Sequence, residues 1–151
     1  MKSRRIQEIA GPVIRGVVRH QIRRYADGVD VVVTIAAVRA GLPLHELAEL
    51  REVLDLPMER IAAKVGMSRA TLHRRQKSGV LSPDESDKAL RLARIAGHAI
   101  AVFGGDTEAR AWLQAPQVGL GGEVPLDYAE TEVGAREVEN LLGRIDHGVY
   151  A

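Results

Sequence analysis

The residues best suited to chemistry in this chain are hydrogen-bond donors rather than nucleophiles: Arg69, Thr71, His73, Arg74 and Lys77. On the outward side of one helix, these groups can meet phosphate oxygens or base edges. Ser68 stands just before them and suits the capping position, where a hydroxyl satisfies a free backbone N–H; it is counted with the same DNA-facing set. The elements that must hold this helix lie next to it. A short upstream helix turns Ile61, Ala62 and Val65 inward, Gly66 falls where the chain must turn sharply, and Leu72 anchors the second helix. The small Ala62 permits a close crossing, and the short turn fits a helix-turn-helix. The plainer reading is that two short helices around a glycine occur in many all-helical domains, and a basic face is often only a solvated one. Arg75 departs from the pattern, since an apolar residue is expected there; its stem can lie along the core while the guanidinium reaches water.

Charge is distributed unevenly along the 151 residues, although the net charge is only +1. Met1 to Tyr25 holds seven basic side chains (Lys2, Arg4, Arg5, Arg15, Arg19, Arg23, Arg24) against Glu8. Pro57 to Gly79 holds six (Arg60, Lys64, Arg69, Arg74, Arg75, Lys77) against Glu59, whereas from Val80 onward six basic face twelve acidic side chains. The first half can therefore face a polyanion, and the second half wants a different partner. Cysteine is absent, which excludes disulfides and thiolate chemistry and suits a reducing, cytoplasmic setting. No apolar run approaches the ~20 residues of a membrane span, and arginines interrupt the apolar residues of the start, unlike a secretory signal. Gly11-Pro12 and Gly16 break helical continuity there, so residues 1–30 read as a flexible basic arm or a marginal helix.

The rest of the chain reads as all-α. In Val29 to Ala40, Val31-Val32-Val33 sets strand against helix, and a helix ending at Gly41-Leu42-Pro43 is preferred. Leu44 to Leu56 carries a helical apolar stripe closed by Pro57, and Gly79 ends the recognition helix. Ser82 caps the next helix, with Pro83 in the first turn and Glu85 placed to bond back. That helix runs to about Phe103 and is apolar almost all round, as a centrally buried helix or an oligomer seam would be. Asp106 is expected to cap a short helix carrying Trp112 and Leu113. Gly119-Leu-Gly-Gly122 reads as a turn, and Thr131 to about His147 as a last helix with Val138, Leu141, Leu142 and Ile145 on one face. Its opposite stripe holds Arg136, Asn140 and Arg144 at four-residue spacing.

An enzyme is not written here. The five histidines are scattered, His45-Glu46 lacks the second histidine of a zinc-protease helix, and no serine sits in a nucleophile elbow. Acidic pairs such as Asp84/Glu85 and Glu137/Glu139 suit helix dipoles and surface charge. No catalytic residue, metal site or cofactor is assigned.

Several segments together resemble a known family. They are Gly41-Leu-Pro43, Ala63 to Leu72, Leu81-Ser-Pro-Asp-Glu-Ser-Asp87, Ala101-Val-Phe-Gly104, Ala109-Arg-Ala-Trp-Leu113, and the long closing segment from Thr131 to Tyr150. From Val31 to Ala151 the chain resembles the Xre/MbcA/ParS antitoxins of RES-Xre toxin–antitoxin systems. The resemblance implies a homodimer whose Xre-like half binds operator DNA and represses its own operon. It also implies a C-terminal half that holds a cognate RES-domain toxin, one that consumes NAD or transfers ADP-ribose from it, and blocks the toxin's NAD pocket. The divisions then expected are a basic arm at 1–30, a helix-turn-helix domain at 31–80 and a toxin-binding domain at 81–151. Toxin contact is expected through Arg136, Asn140, Arg144, His147, Val149, Tyr150 and Ala151, with the Tyr150 ring where NAD would stack. The basic segment before Asp30 is not part of the family pattern; an extra DNA-contacting arm and a disordered tail both fit it. The alternative function is a stand-alone regulator whose C-terminal half only dimerises or senses a ligand.

Overall fold

The computed structural model describes residues 16–148. Among these, nine α-helices and three short 3-10 turns form the regular structure, and the only β contacts are two isolated bridges. The helices are α1 (Val17–Arg23), α2 (Val31–Ala40), α3 (Leu47–Leu54), α4 (Met58–Lys64), α5 (Arg69–Ser78), α6 (Pro83–Phe103), α7 (Asp106–Leu113), α8 (Pro125–Tyr128) and α9 (Glu132–Asp146).

Helix α6 organises the molecule. It starts at the expected capping box, in which the Ser82 hydroxyl accepts from Glu85 N at 3.1 Å and the Glu85 carboxylate accepts from Ser82 N at 2.9 Å. Its nearly all-round apolar surface is covered by α1, α2, α3, α7 and α9. Ala89, Ala93, Ala96 and Ala99 are fully buried on it, and these small side chains let the surrounding helices approach closely. The extreme case is Gly97, where a Cβ would run into the backbone carbonyls of Gln21 and Ile22 in α1. With Leu92, Ala93, Ile95, Ala96 and Ala99 buried within the one chain, the helix is a core helix.

The β-branched run at 31–33 is helical. Asp30 caps α2 by accepting from Val33 N at 3.1 Å, a local signal that decides the strand–helix competition. The Gly41–Pro43 exit is strapped to the end of α5: Leu44 N donates to Gly79 O, Leu81 N to Leu42 O, and Leu42 N to the buried Ser86 hydroxyl. Two further ties join the N- and C-terminal halves. Arg110 of α7 and Gln114 just past its end donate to the last carbonyls of α3, at Glu52, Val53 and Leu54. Lys64 of α4 reaches Asp127 at 3.0 Å and Glu130 at 3.5 Å. The halves therefore share one core.

Three expectations need correction. Residues 17–27 are not an arm: Val17, Val18 and Ile22 are buried against α6, and Arg23 forms a two-point ion pair with Asp106 at 2.6 and 3.0 Å. The cap that its own sequence lacks comes from far along the chain, where the buried Glu46 carboxylate accepts from Val18 N at 3.1 Å. The rest of the expected arm, 1–15, lies outside the described residues. Secondly, Asp106 does not cap α7; Gly105 holds that position and the Asp106 carboxylate faces Arg23 instead. Thirdly, α8, a single turn opened by Pro125, was not anticipated. The Gly119–Gly122 segment is a turn as expected, closed by a bridge between Gln117 and Glu123.

Candidate DNA-facing and partner-facing sites

The helix-turn-helix is built as its spacing requires. Ile61, Ala62, Val65, Met67 and Leu72 are buried, and Gly66 turns the chain at φ 84°, a region that side-chain-bearing residues rarely enter. Ser68 caps α5 by accepting from Thr71 N at 3.1 Å, and its hydroxyl also donates to Thr71 Oγ1 at 3.1 Å. Arg74 Nη2 donates to the same Thr71 oxygen at 3.2 Å. Ser68, Thr71 and Arg74 thus form one linked group, in which the first two hold the third. Arg69, His73, Arg74 and Lys77 are exposed, and among the described residues none of them is in an ion pair. The six DNA-facing candidates run from the cap of α5 to its last turn, with Thr71 half-buried and the others exposed.

Two other cations of the basic block have structural work. Lys64 is nearly buried between its acidic partners. Arg75 stays partly open to water, as expected, but its guanidinium also grips Glu85 at 2.7 and 3.1 Å, so an ion pair replaces the apolar residue expected there. Burial alone would raise the Glu85 carboxyl, but the Arg75 guanidinium and the Ser82 N–H outweigh it and hold the group below its ordinary value. The recognition helix is thereby clamped to the first turn of α6.

Of the partner-facing candidates, Arg136, Asn140 and Arg144 lie on α9 and His147 follows its last residue. Thr131 caps it by accepting from Gly134 N at 3.0 Å, and Ala135, Val138 and Leu142 seat it in the core. Asn140, Arg144 and His147 line one shallow concavity with Glu139 and Gly143. Arg136 is exposed one turn earlier, beside Glu132 at 3.9 Å, and does not join them. His147 turns its Nδ1 to Gly143 O at 2.7 Å. Arg144 is half-buried, and its Nε is shielded from solvent without a hydrogen-bond partner among the described residues. Val149, Tyr150 and Ala151 lie outside the described residues.

Sequence reasoning missed the groups behind this concavity. Arg94 of α6 pairs with Glu139 at 2.7 Å, and His98, one turn on, stacks on Tyr25 with ring centroids 4.8 Å apart. Burial pushes the His98 imidazole below its ordinary value, against the pull of Glu139 and Asp146. Only the four-residue spacing of Arg94 and His98 hinted at this. Glu46 was passed over because it sat in a failed zinc motif; its carboxyl is pushed up to about 7 by burial, despite the N–H groups of Val18 and Val17. Among the described residues no cluster of His, Asp or Glu suits a metal ion, and no helix is long and apolar enough to cross a membrane.

Comparison with known proteins agrees with this geometry. Residues 34–94 match the antitoxin Xre-like helix-turn-helix domain, and residues 98–148 match the antitoxin Xre/MbcA/ParS C-terminal toxin-binding domain. The chain is 33% identical over 121 residues to Antitoxin Xre of Yersinia enterocolitica, covering 79% of this chain and 82% of the relative. It is 33% identical over 118 residues to Antitoxin Xre of Photorhabdus laumondii, covering 77% and 80%. A more distant relative, 24% identical over 127 residues and covering 78% and 80%, is the Prs ADP-ribosylating antitoxin of a Sphingobium species. With a helix-turn-helix unit and a toxin-binding unit in one body, the chain belongs to the Xre/MbcA/ParS family, the antitoxins of toxin–antitoxin systems.

Proposed function

We propose that the chain neutralises a RES-domain toxin by occluding its NAD site, and that as a dimer it represses its own operon. The observation that carries the first part is the Asn140–Arg144–His147 concavity. It sits on the last turns of α9, where exposed Asn140 and His147 and half-buried Arg144 line one open surface for another molecule. The relative named for an ADP-ribosylating system supports a toxin that handles NAD. On this reading Arg136, Asn140, Arg144 and His147 dock the toxin, and Val149, Tyr150 and Ala151 enter the pocket with Tyr150 stacking where NAD binds. Toxin binding belongs to residues 81–151 and DNA reading to 31–80, with α6 serving both.

On DNA, Arg69, Arg74 and Lys77 reach bases or phosphates in the major groove, with Thr71 and His73 alongside and Ser68 holding the helix start. Two protomers then read an inverted repeat with half-sites about one helical turn, or a multiple, apart. The test is purification of the tagged chain from its native cells. A stoichiometric second protein that consumes NAD once released supports the proposal. A lone dimer carrying only DNA contradicts it and makes the chain a plain repressor.

A further inference from the structure

Most of the apolar surface of α6 is spent on the core, and α2 offers a face for a second copy. Its inward stripe is Val33 and Ala37. Its outward side carries Val32, Ile35 and Arg39 at i, i+3 and i+7, with Val31 beside them. Val31 is 61%, Val32 71% and Ile35 45% exposed, and Val29 adds 39% just before the helix. The other exposed large apolar residues, Val80, Val118, Tyr128 and Val133, are spread over separate elements, as scattered ones normally are. β-branched residues at solvent-facing helix positions lower helix propensity and gain nothing in a monomer. Val29, Val31, Val32 and Ile35 thus bring four exposed apolar side chains together on one element.

The patch borders a groove between α2 and α6 whose floor includes Ile35, Val38 and Leu90. Arg39 stands on the α2 bank and Asp87 on the α6 bank, and neither is in an ion pair among the described residues. The neighbouring cations Arg91 and Arg94 are taken by Glu132 and Glu139. An apolar floor with one unused cation and one unused anion on opposite banks is self-complementary. A two-fold axis sets each copy's Arg39 against the other copy's Asp87, twice over. The α2 exit is also bonded to the end of the recognition helix, through Leu42 with Leu81 and Leu44 with Gly79. A two-fold across α2 therefore fixes the two recognition helices relative to each other, as an inverted repeat demands.

We infer that the α2 face of Val31, Val32 and Ile35, rimmed by Arg39 and Asp87, is the two-fold contact between two copies of this chain. This rests on the proposed dimeric repressor and names its seam.

Sedimentation velocity of the full chain over a concentration series tests it. V31E/V32E changes only exposed side chains, so its far-UV circular dichroism and melting midpoint stay those of the folded chain. Its dimer dissociation constant rises by at least about thirtyfold, from the lost apolar burial. R39E and D87R each weaken the dimer, and R39E/D87R recovers most of the loss. A wild-type dimer with V31E/V32E equally dimeric overturns the seam but leaves the dimeric repressor standing; a monomeric wild type overturns both. V31E/V32E that loses toxin binding while remaining dimeric overturns the inference and assigns the face to the toxin. A face that becomes reactive to solvent probes only when residues 1–15 are removed assigns it to that segment and also overturns it.

Discussion

Three of the four cations of α5 stand in no ion pair among the described residues, whereas the cations of α1, α6 and α7 are held. Arg69, Arg74 and Lys77 point to solvent with no carboxylate on them among the described residues. Arg23, Arg91 and Arg94 are each held by an acidic side chain, and Arg110 by the carbonyls that end α3. Both sets look alike as letters. What a polyanion can use is the charge that the fold leaves unspent: three such cations share α5, while Arg39, Arg51 and Arg60 stand singly on α2, α3 and α4. The C-terminal half shows the complementary case: most of its cations are consumed, and the shielded Nε of Arg144 is left over at the end of α9.

The sharpest way to break the contrast is to remove each set in turn. R69A/R74A/K77A should lower operator affinity by at least about a hundredfold and reduce the slope of log affinity against log salt by about 2–3. Its melting curve should be unchanged, as read by fluorescence anisotropy and circular dichroism. Next in size is G97A, which leaves every charge in place but drives a Cβ into the α1 backbone. It should cost about 2–3 kcal/mol of stability in urea unfolding without altering operator affinity at temperatures where the chain stays folded.

Glu46 sharpens the account of α1 through pH. Its carboxyl rises from 4.5 to about 7 in the folded chain, so the folded state holds that proton more tightly than the unfolded one. Its contribution is therefore fully present below about 4.5 and declines as pH rises toward 7, by up to about 3 kcal/mol. E46Q keeps an acceptor for Val18 N and should flatten the fall in stability between these limits. Asp106, held below its ordinary value first of all by its hydrogen bonds from Arg23, acts in the opposite sense and only at lower pH. The smallest effect belongs to R23A, whose half-exposed pair should be worth about 1 kcal/mol or less, with operator binding intact.

Local signals made most of the fold legible. The Ser82–Glu85 capping box, the Gly66 turn and the Gly79 stop fall where the sequence puts them, because each is written within a few residues. What stayed hidden depends on distant partners. Helix α1 takes its cap from Glu46 and its seat from the gap over Gly97, so a reading confined to residues 1–30 sees only arginines and chain breakers. The partners of Arg75 and Asp106 were hidden for the same reason: Glu85 and Arg23 come from other elements. The candidate set around α5 could be grouped in the sequence because its residues lie on one helix and its cap. On α9, regular spacing grouped Arg136 with Asn140 and Arg144, whereas the concavity gathers Asn140 and Arg144 with His147.

We propose that one folded core carries two separable faces, one for the operator and one for the toxin. The most direct test takes R69A and a chain ending at Ile145 and measures each for operator binding and for suppression of NAD consumption by the co-purified toxin. The account predicts a crossed result, in which R69A loses the operator and still silences the toxin, while the truncated chain binds the operator and no longer silences it. A truncated chain that neutralises fully, or an R69A that fails at both, would contradict the account.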